Sequence, residues 1–322
     1  MIHLRIVAPA DRAGRTLELL EGNASVSNVA HLAGVARSPA GDLILADVAR
    51  EDASVVLADL RGLDLERDGA IAIEAVEAHI SEAADRAIEH ARGAPSDAVV
   101  WEEVQARTSE ATEVSSSFLV FMVVAGLIAA VGIYLDSAIL IVGAMVVGPE
   151  FGPVAGLCVA AVTRRRDVAL RSFVALAVGF PAAIAAAWLA TLAFRATGVI
   201  PDTFDTSTHQ LGNIIASPDF LAFFVAACAG VAGMLSLSTA KSGALIGVLI
   251  SVTTIPAAAN IGVALAYRDW EAWRGSMGQL AINLGAIVLF GTAALALQRL
   301  LYQRRRRRVH RLATEPATTP GR

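Results

Sequence analysis

Glu150 stands between two prolines in the hexapeptide GPEFGP at 148–153, inside an apolar run that begins near Ser137. A carboxylate in hydrocarbon is costly, so it must be protonated, paired or wetted, and by default it marks a proton or ion pathway. Two plainer roles stand beside that one: a structural carboxylate bonded to the amides of a nearby half-helix, and a loop lying shallower than mid-membrane. The flanking prolines bear on the choice. Proline removes one backbone N–H and frees a carbonyl one turn earlier, and unpaired backbone groups cannot face lipid. Broken helices therefore line a protein-enclosed or watery cavity, where half-helix N-termini attract anions and freed carbonyls attract cations. Pro149, Gly152 and Pro153 form one such break and Pro256 another, with Thr253, Thr254 and Asn260 around it and Asn283 in a later apolar run. These nine residues are the candidate solute or ion pathway, although each polar one taken singly is more often interhelical glue than a ligand. Gly148, Gly152 and Gly156 recur every four residues and form a stripe that permits close helix contact.

The chain that must position these residues has 322 amino acids, of which 55% are hydrophobic and 17% charged. With a mean hydropathy of +0.59, it is too apolar for ordinary soluble domains and reads as largely a membrane protein. The excess is concentrated. Residues 1–115 hold 10 Lys and Arg against 21 Asp and Glu, whereas 116–322 hold 16 against 9 and contain long Ala, Val, Leu, Ile and Gly runs. An acidic soluble part and a basic part set beside apolar spans offer nucleic acid no footprint. Cys158 and Cys228, both within apolar runs, provide neither a disulfide framework nor a zinc site. The first residues carry no secretory signal pattern, so the N-terminal region is expected to stay in the cytoplasm.

Residues 1–80 read as β-α-β-β-α-β, the split order of ferredoxin-like domains. Strands are expected at Ile2–Ala8, Ser27–Val35, Leu43–Val48 and Ala70–Val76, with helices at Asp11–Leu20 and Asp52–Arg61, a cap at Asp11 and hairpin chemistry in SPAGD at 38–42. His3 and His31 fall on neighbouring strands, but without a carboxylate or Cys at ligand spacing a surface or edge role is expected and no metal site. A helical connector covers 81–116, with helices at Ser81–His90 and Ala98–Thr112. Ser96 or Asp97 can cap the second, and Glu102, Glu103, Arg107 and Glu110 make it a solvated one.

Six apolar segments in 117–301 reach the length of about 20 residues that a span needs, near 117–135, 137–162, 168–194, 215–239, 243–266 and 276–300. With the N-terminus inside, Arg164, Arg165, Arg166, Arg171, Lys241, Arg299 and the run Arg304, Arg305, Arg306, Arg307, Arg308 all fall on the cytoplasmic side; Arg195, Arg268 and Arg274 do not. The arginine run, in a basic, disordered tail at 302–322, suits anionic headgroups of the cell membrane. The connection with Pro201, Asp202, Asp205 and His209 reads as a solvated outer loop. The second and fifth segments look alike, from Ser137 and from Ser242, and pair Arg166-Asp167 with Arg268-Asp269 at their ends. They sit in the middle of two three-span halves, which is compatible with the inverted repeat of secondary transporters and equally with shared transmembrane composition.

The motif GAMVVGPEFGPVAGL (143–157), with SGALIGVLISVTTIPAAANIGVAL and the following Arg268-Asp269-Trp270, resembles a bacterial and archaeal family of hydrophobic proteins built on domain of unknown function 389. The resemblance covers roughly 115–300 and implies the membrane architecture but no particular activity. Many relatives read Ser-Pro-Leu-Met-Gly-Pro where this chain has Gly148 in place of Ser and Glu150 in place of Leu, so the resemblance implies no family-wide role for Glu150. The residues point to a transporter or channel for a small solute or ion with a cytoplasmic regulatory domain. The rival is a membrane sensor or scaffold whose N-terminal domain binds a small ligand or partner. No HExxH, GxSxG or P-loop is present, so an enzyme is not expected, nor a cofactor. Small-residue helix faces are compatible with a homo-oligomer.

Overall fold

A computed structural model describes residues 1–76, 78–91, 99–201, 210–238 and 253–314, with Arg107, Ala111 and 304–314 by backbone alone. Two compact units are present, one built on Met1–Val104 and one on Gln105–Leu237 with the later helices up to Leu301.

In the first unit, alternating apolar residues make strand β1 (Ile2–Ala8), whose Ile2, Leu4, Ile6 and Ala8 are wholly buried. Helix α1 (Ala10–Glu21) comes next, then β2 (Val26–Arg37), β3 (Ala40–Val48), α2 (Arg50–Arg61), the short α3 (Leu65–Asp68) and β4 (Ala70–Ala75). The strands form one sheet in the order β2-β3-β1-β4, every neighbouring pair antiparallel. Its inner face packs on Leu20, Val56, Leu57 and Leu60 of α1 and α2, each such side chain contributing about 1.5–3 kcal/mol by leaving water. Asp11 is not a cap, because Pro9 occupies the capping position and Asp11 lies in the first turn. α3 has no apolar period long enough to be read from sequence.

Strand β2 slips register against β3 between Ser27 and Ala30 and again between Leu32 and Ala36. Asn28 and Gly34, which take positive φ, sit at those two irregularities. The second is held from β3: the Asp42 carboxylate accepts from the Gly34 amide at 2.8 Å and contacts His31 Nε2 at 2.7 Å. His3 likewise meets Asp47 at 2.7 Å, so both histidines pair with carboxylates. Among the described residues no group of three His, Cys, Asp or Glu can hold a metal. The His31 contact, followed by the Gly34 amide, holds the Asp42 carboxyl below its usual value. The folded chain therefore takes up that proton less readily than the unfolded one. The contribution is complete above the ordinary Asp value of about 3.9 and is lost as pH falls through the lower folded value. Hydrogen exchange at the Gly34 amide, corrected for intrinsic rates, should rise on such acidification in the full chain. Asp42→Asn should remove that pH dependence.

The expected connector is not a free one. Helix α4 (Glu82–His90), capped by the Ser81 hydroxyl through Ala84 N–H, lies against the sheet. The start of α5 (Trp101–Ala111) is tied to α2, where Arg50 meets Glu103 at 2.8 Å and Glu102 accepts from Ser54 at 2.9 Å and from Arg61 at 3.2 Å. Glu102 and Glu103 are thus paired and not solvated. Ser96 and Asp97 lie outside the described residues.

The second unit is helical: α6 (Ser116–Tyr134), α7 (Ala138–Val147), α8 (Phe151–Thr163), α9 (Arg166–Ala196), α10 (Gln210–Ala216), α11 (Phe220–Ser238), α12 (Thr254–Tyr267) and α13 (Trp270–Thr314). Serines open two of them, Ser115 accepting from Phe118 N–H and Ser137 from Leu140 N–H. α6, α9, α11 and α13 are long and apolar enough to cross a membrane, and α7 with α8 make a fifth if that bent pair is one span. The chain is therefore built as a membrane-embedded protein. Of the expected span 243–266, only the part in α12 is described, and α12 has 14 residues. α13 runs to Thr314, beyond the boundary at 302 expected for a disordered tail. Asp202, Asp205, His209, Lys241 and the side chains of Arg304 to Arg308 lie outside the described residues.

A register of 104 residues runs through this unit. α6 at 116–134 becomes α11 at 220–238, and the starts of α9 at 166 and α13 at 270 coincide. α8 and α12 both end on an arginine with left-handed backbone, Arg164 and Arg268, and the next residue closes a bond to Ala160 or Ala264. The equivalent pair is therefore Arg164 with Arg268, which replaces the sequence pairing of Arg166-Asp167 with Arg268-Asp269. Contacts recur as well. Arg195 donates to the Ala266 carbonyl at 2.7 Å and Arg299 to that of Val162; Gly126 packs on Ala183 and Gly230 on Ile287.

Candidate functional site

The break between α7 and α8 falls at Gly148, Pro149 and Glu150, where the two helices bend by 52°. Gly148 has extended backbone, so the expected glycine stripe is interrupted there and does not continue along one helix. Pro153 and Pro256 are each the third residue of their helix, a first-turn position where a missing N–H costs nothing. The first break thus falls just ahead of Pro153, and residues 239–252 ahead of α12 lie outside the described ones.

Glu150 occupies the N-cap position of α8, 5% exposed, and its side chain makes no capping hydrogen bond to that helix. Its partner is instead on α12. Thr254, the first residue of α12, donates its hydroxyl to Glu150 Oε1 at 2.7 Å, and Oε2 has no partner. Glu150 and Thr254 are 104 residues apart, so equivalent positions meet and the N-termini of α8 and α12 converge on one carboxylate. Both positive helix ends favour negative charge at that point. Thr254→Val should lower the melting temperature of the purified protein, at a cost of about 1–3 kcal/mol for a buried acceptor left without its donor. Thr254→Ser should restore it.

A second polar group lies alongside. Asn283 Nδ2 donates to Thr253 Oγ1 at 3.0 Å, and Gln279 Nε2 donates to Asn283 Oδ1 at 3.2 Å. Thr253, Gln279 and Asn283 line a cavity of about 460 Å³, with Asn213, Ser217 and Asp219 among its other polar walls. Asn260, fully buried, joins neither group and bonds Ser276 Oγ at 2.9 Å, reaching towards the Gly212 carbonyl at 3.5 Å. Of the nine candidate residues, the structure thus unites Glu150 with Thr254 and Thr253 with Asn283. Pro149, Gly152, Pro153 and Pro256 shape the backbone, and Asn260 stands apart. Ser276, Gln279 and Asp219 were not read from the sequence. Ser276, Gln279 and Asn283 have the i, i+3, i+7 spacing of one helix face, and that polar stripe on an apolar span is the signal that could have found them.

Four helices long and apolar enough to cross a membrane, one bent helix pair and a buried carboxylate fit the class of membrane-embedded proteins. The family model described as Domain of unknown function (DUF389) matches residues 145–289. An uncharacterized protein of Methanocaldococcus jannaschii is 25% identical over 203 residues, which are 62% of this chain and 61% of that relative's length. No solved structure matches.

Proposed function

We propose that the apolar region is a transporter or channel that moves a small solute or ion past the junction of two broken helices, with the N-terminal domain regulating passage from the cytoplasm. The observation that carries this reading is the Glu150–Thr254 bond. It holds a buried carboxylate, one oxygen unpartnered, where the heads of α8 and α12 meet. A plain membrane anchor has no need of such a junction. The recurrence of helix bounds and contacts at 104 residues supports six spans in an inverted 3+3 repeat, because halves with an odd number of spans enter from opposite sides. The order β2-β3-β1-β4 supports a ferredoxin-like regulatory domain. On this reading both termini are cytoplasmic, Arg304 to Arg308 hold anionic headgroups of the cell membrane, and small-residue faces seat further copies of the chain.

The test is uptake of a panel of ions and small polar solutes into proteoliposomes of the full chain, against protein-free vesicles. Protein-dependent uptake of one member is expected. A ligand that stabilises the purified protein while nothing in the panel moves would favour the sensor or scaffold reading.

A further inference from the structure

We infer that the cavity behind the broken-helix junction binds a small, singly charged cation. Binding gives the transport reading its solute class, and passage of the bound cation across the membrane rests on that reading.

The 104-residue register isolates what the site needs beyond packing. Positions 149, 156, 175 and 179 of the first half are Pro, Gly, Ala and Gly; their counterparts are Thr253, Asn260, Gln279 and Asn283. The fold of a half is therefore built without these polar groups. Where Gly156 packs on Ser172, Asn260 hydrogen-bonds Ser276 at the same place. Buried polar groups that packing does not require are retained at a cost, and here Thr253, Gln279 and Asn283 converge on one cavity.

The chemistry of the group is that of acceptors. Gln279 is 3% exposed, lines the cavity and has Oε1 without a partner. Outside that lining, the Asn260 amide turns its Nδ2 towards Ser276 and the Gly212 carbonyl, which can only accept. At the exposed end stands Asp219, whose Oδ1 caps α11 through Ala222 N–H at 2.7 Å. No Lys, Arg or His is among the described residues that line the cavity. A buried unpartnered oxygen with a carboxylate and no cationic side chain among those residues suits a cation or a strong hydrogen-bond donor and disfavours an anion. One carboxylate among neutral oxygens suits a single charge, since doubly charged hard ions collect several carboxylates.

The experiment is a thermal melt of the detergent-purified full chain in sodium, potassium, ammonium or N-methyl-D-glucamine chloride at constant ionic strength. One of the small cations should raise the melting temperature in proportion to the logarithm of its concentration. Asp219→Asn keeps the cap acceptor and should raise the half-saturating concentration by up to about fivefold, the range of an exposed charge. Gln279→Glu should lower it by about tenfold through a charge-assisted contact. Equal melting in all four salts, or a shift that tracks the anion when chloride is exchanged, would overturn the inference. Cation-specific melting without flux in proteoliposomes would keep the site and remove transport. Flux of a solute with no cation effect on melting would keep transport and remove the cation.

Discussion

Glu150→Gln should lower flux through the reconstituted protein by about 10- to 100-fold, the equivalent of the roughly 1.5–3 kcal/mol carried by a hydrogen bond to a charged group. Glutamine keeps an oxygen where Glu150 Oε1 accepts from Thr254, so the junction of α8 and α12 and the melting temperature should survive. The variant loses the charge and the carboxylate's capacity to take a proton. Initial rates at matched incorporation and several pH values check this. A variant that folds and moves solute with unchanged pH dependence would remove Glu150 from the mechanism.

Gly262→Leu should be a strongly damaging packing change. A Cβ there would lie 2.5 Å from the Ile184 carbonyl oxygen and 2.8 Å from the Trp188 nitrogen, both backbone, so α9 and α12 would have to separate. Overpacking of this kind costs about 1–3 kcal/mol and often more, read as a lower melting temperature and loss of monodisperse protein. Gly285, also helical, has nothing within 4 Å of the same hypothetical atom. Gly285→Ala should be neutral or stabilising by up to about 1 kcal/mol through helix propensity. Opposite signs at the two glycines would show that α12 seats against α9 through the missing side chain.

The features legible in the sequence are those whose signals are local. The alternation of Ile2, Leu4, Ile6 and Ala8 gave β1 to the residue, because one buried face imposes a period of two. The GPEFGP break was legible for the same reason, since two prolines and two glycines cannot sit mid-helix unchanged. Pro256 is less telling, because a proline in an apolar run looks alike whether it follows a break or opens a helix, and residues 239–252 ahead of α12 lie outside the described ones. Glu102 and Glu103 looked solvated because charge on a helix face usually is. Their partners Arg50, Ser54 and Arg61 are far away in sequence and visible only once α2 is folded. Gln279 was overlooked as a single amide in a long span, and it acquired meaning only from the cavity that Thr253 and Asn283 share with it.

On the transport reading, solute passes through the cavity beside the α8–α12 junction. Ser217, exposed and on the cavity wall, offers direct access to it. With the exposed Cys228 replaced by serine, leaving only the buried Cys158, Ser217→Cys can be alkylated by a bulky charged thiol reagent in proteoliposomes. The account predicts flux near wild type before modification and at the protein-free background after it. Flux that persists at full labelling would contradict it.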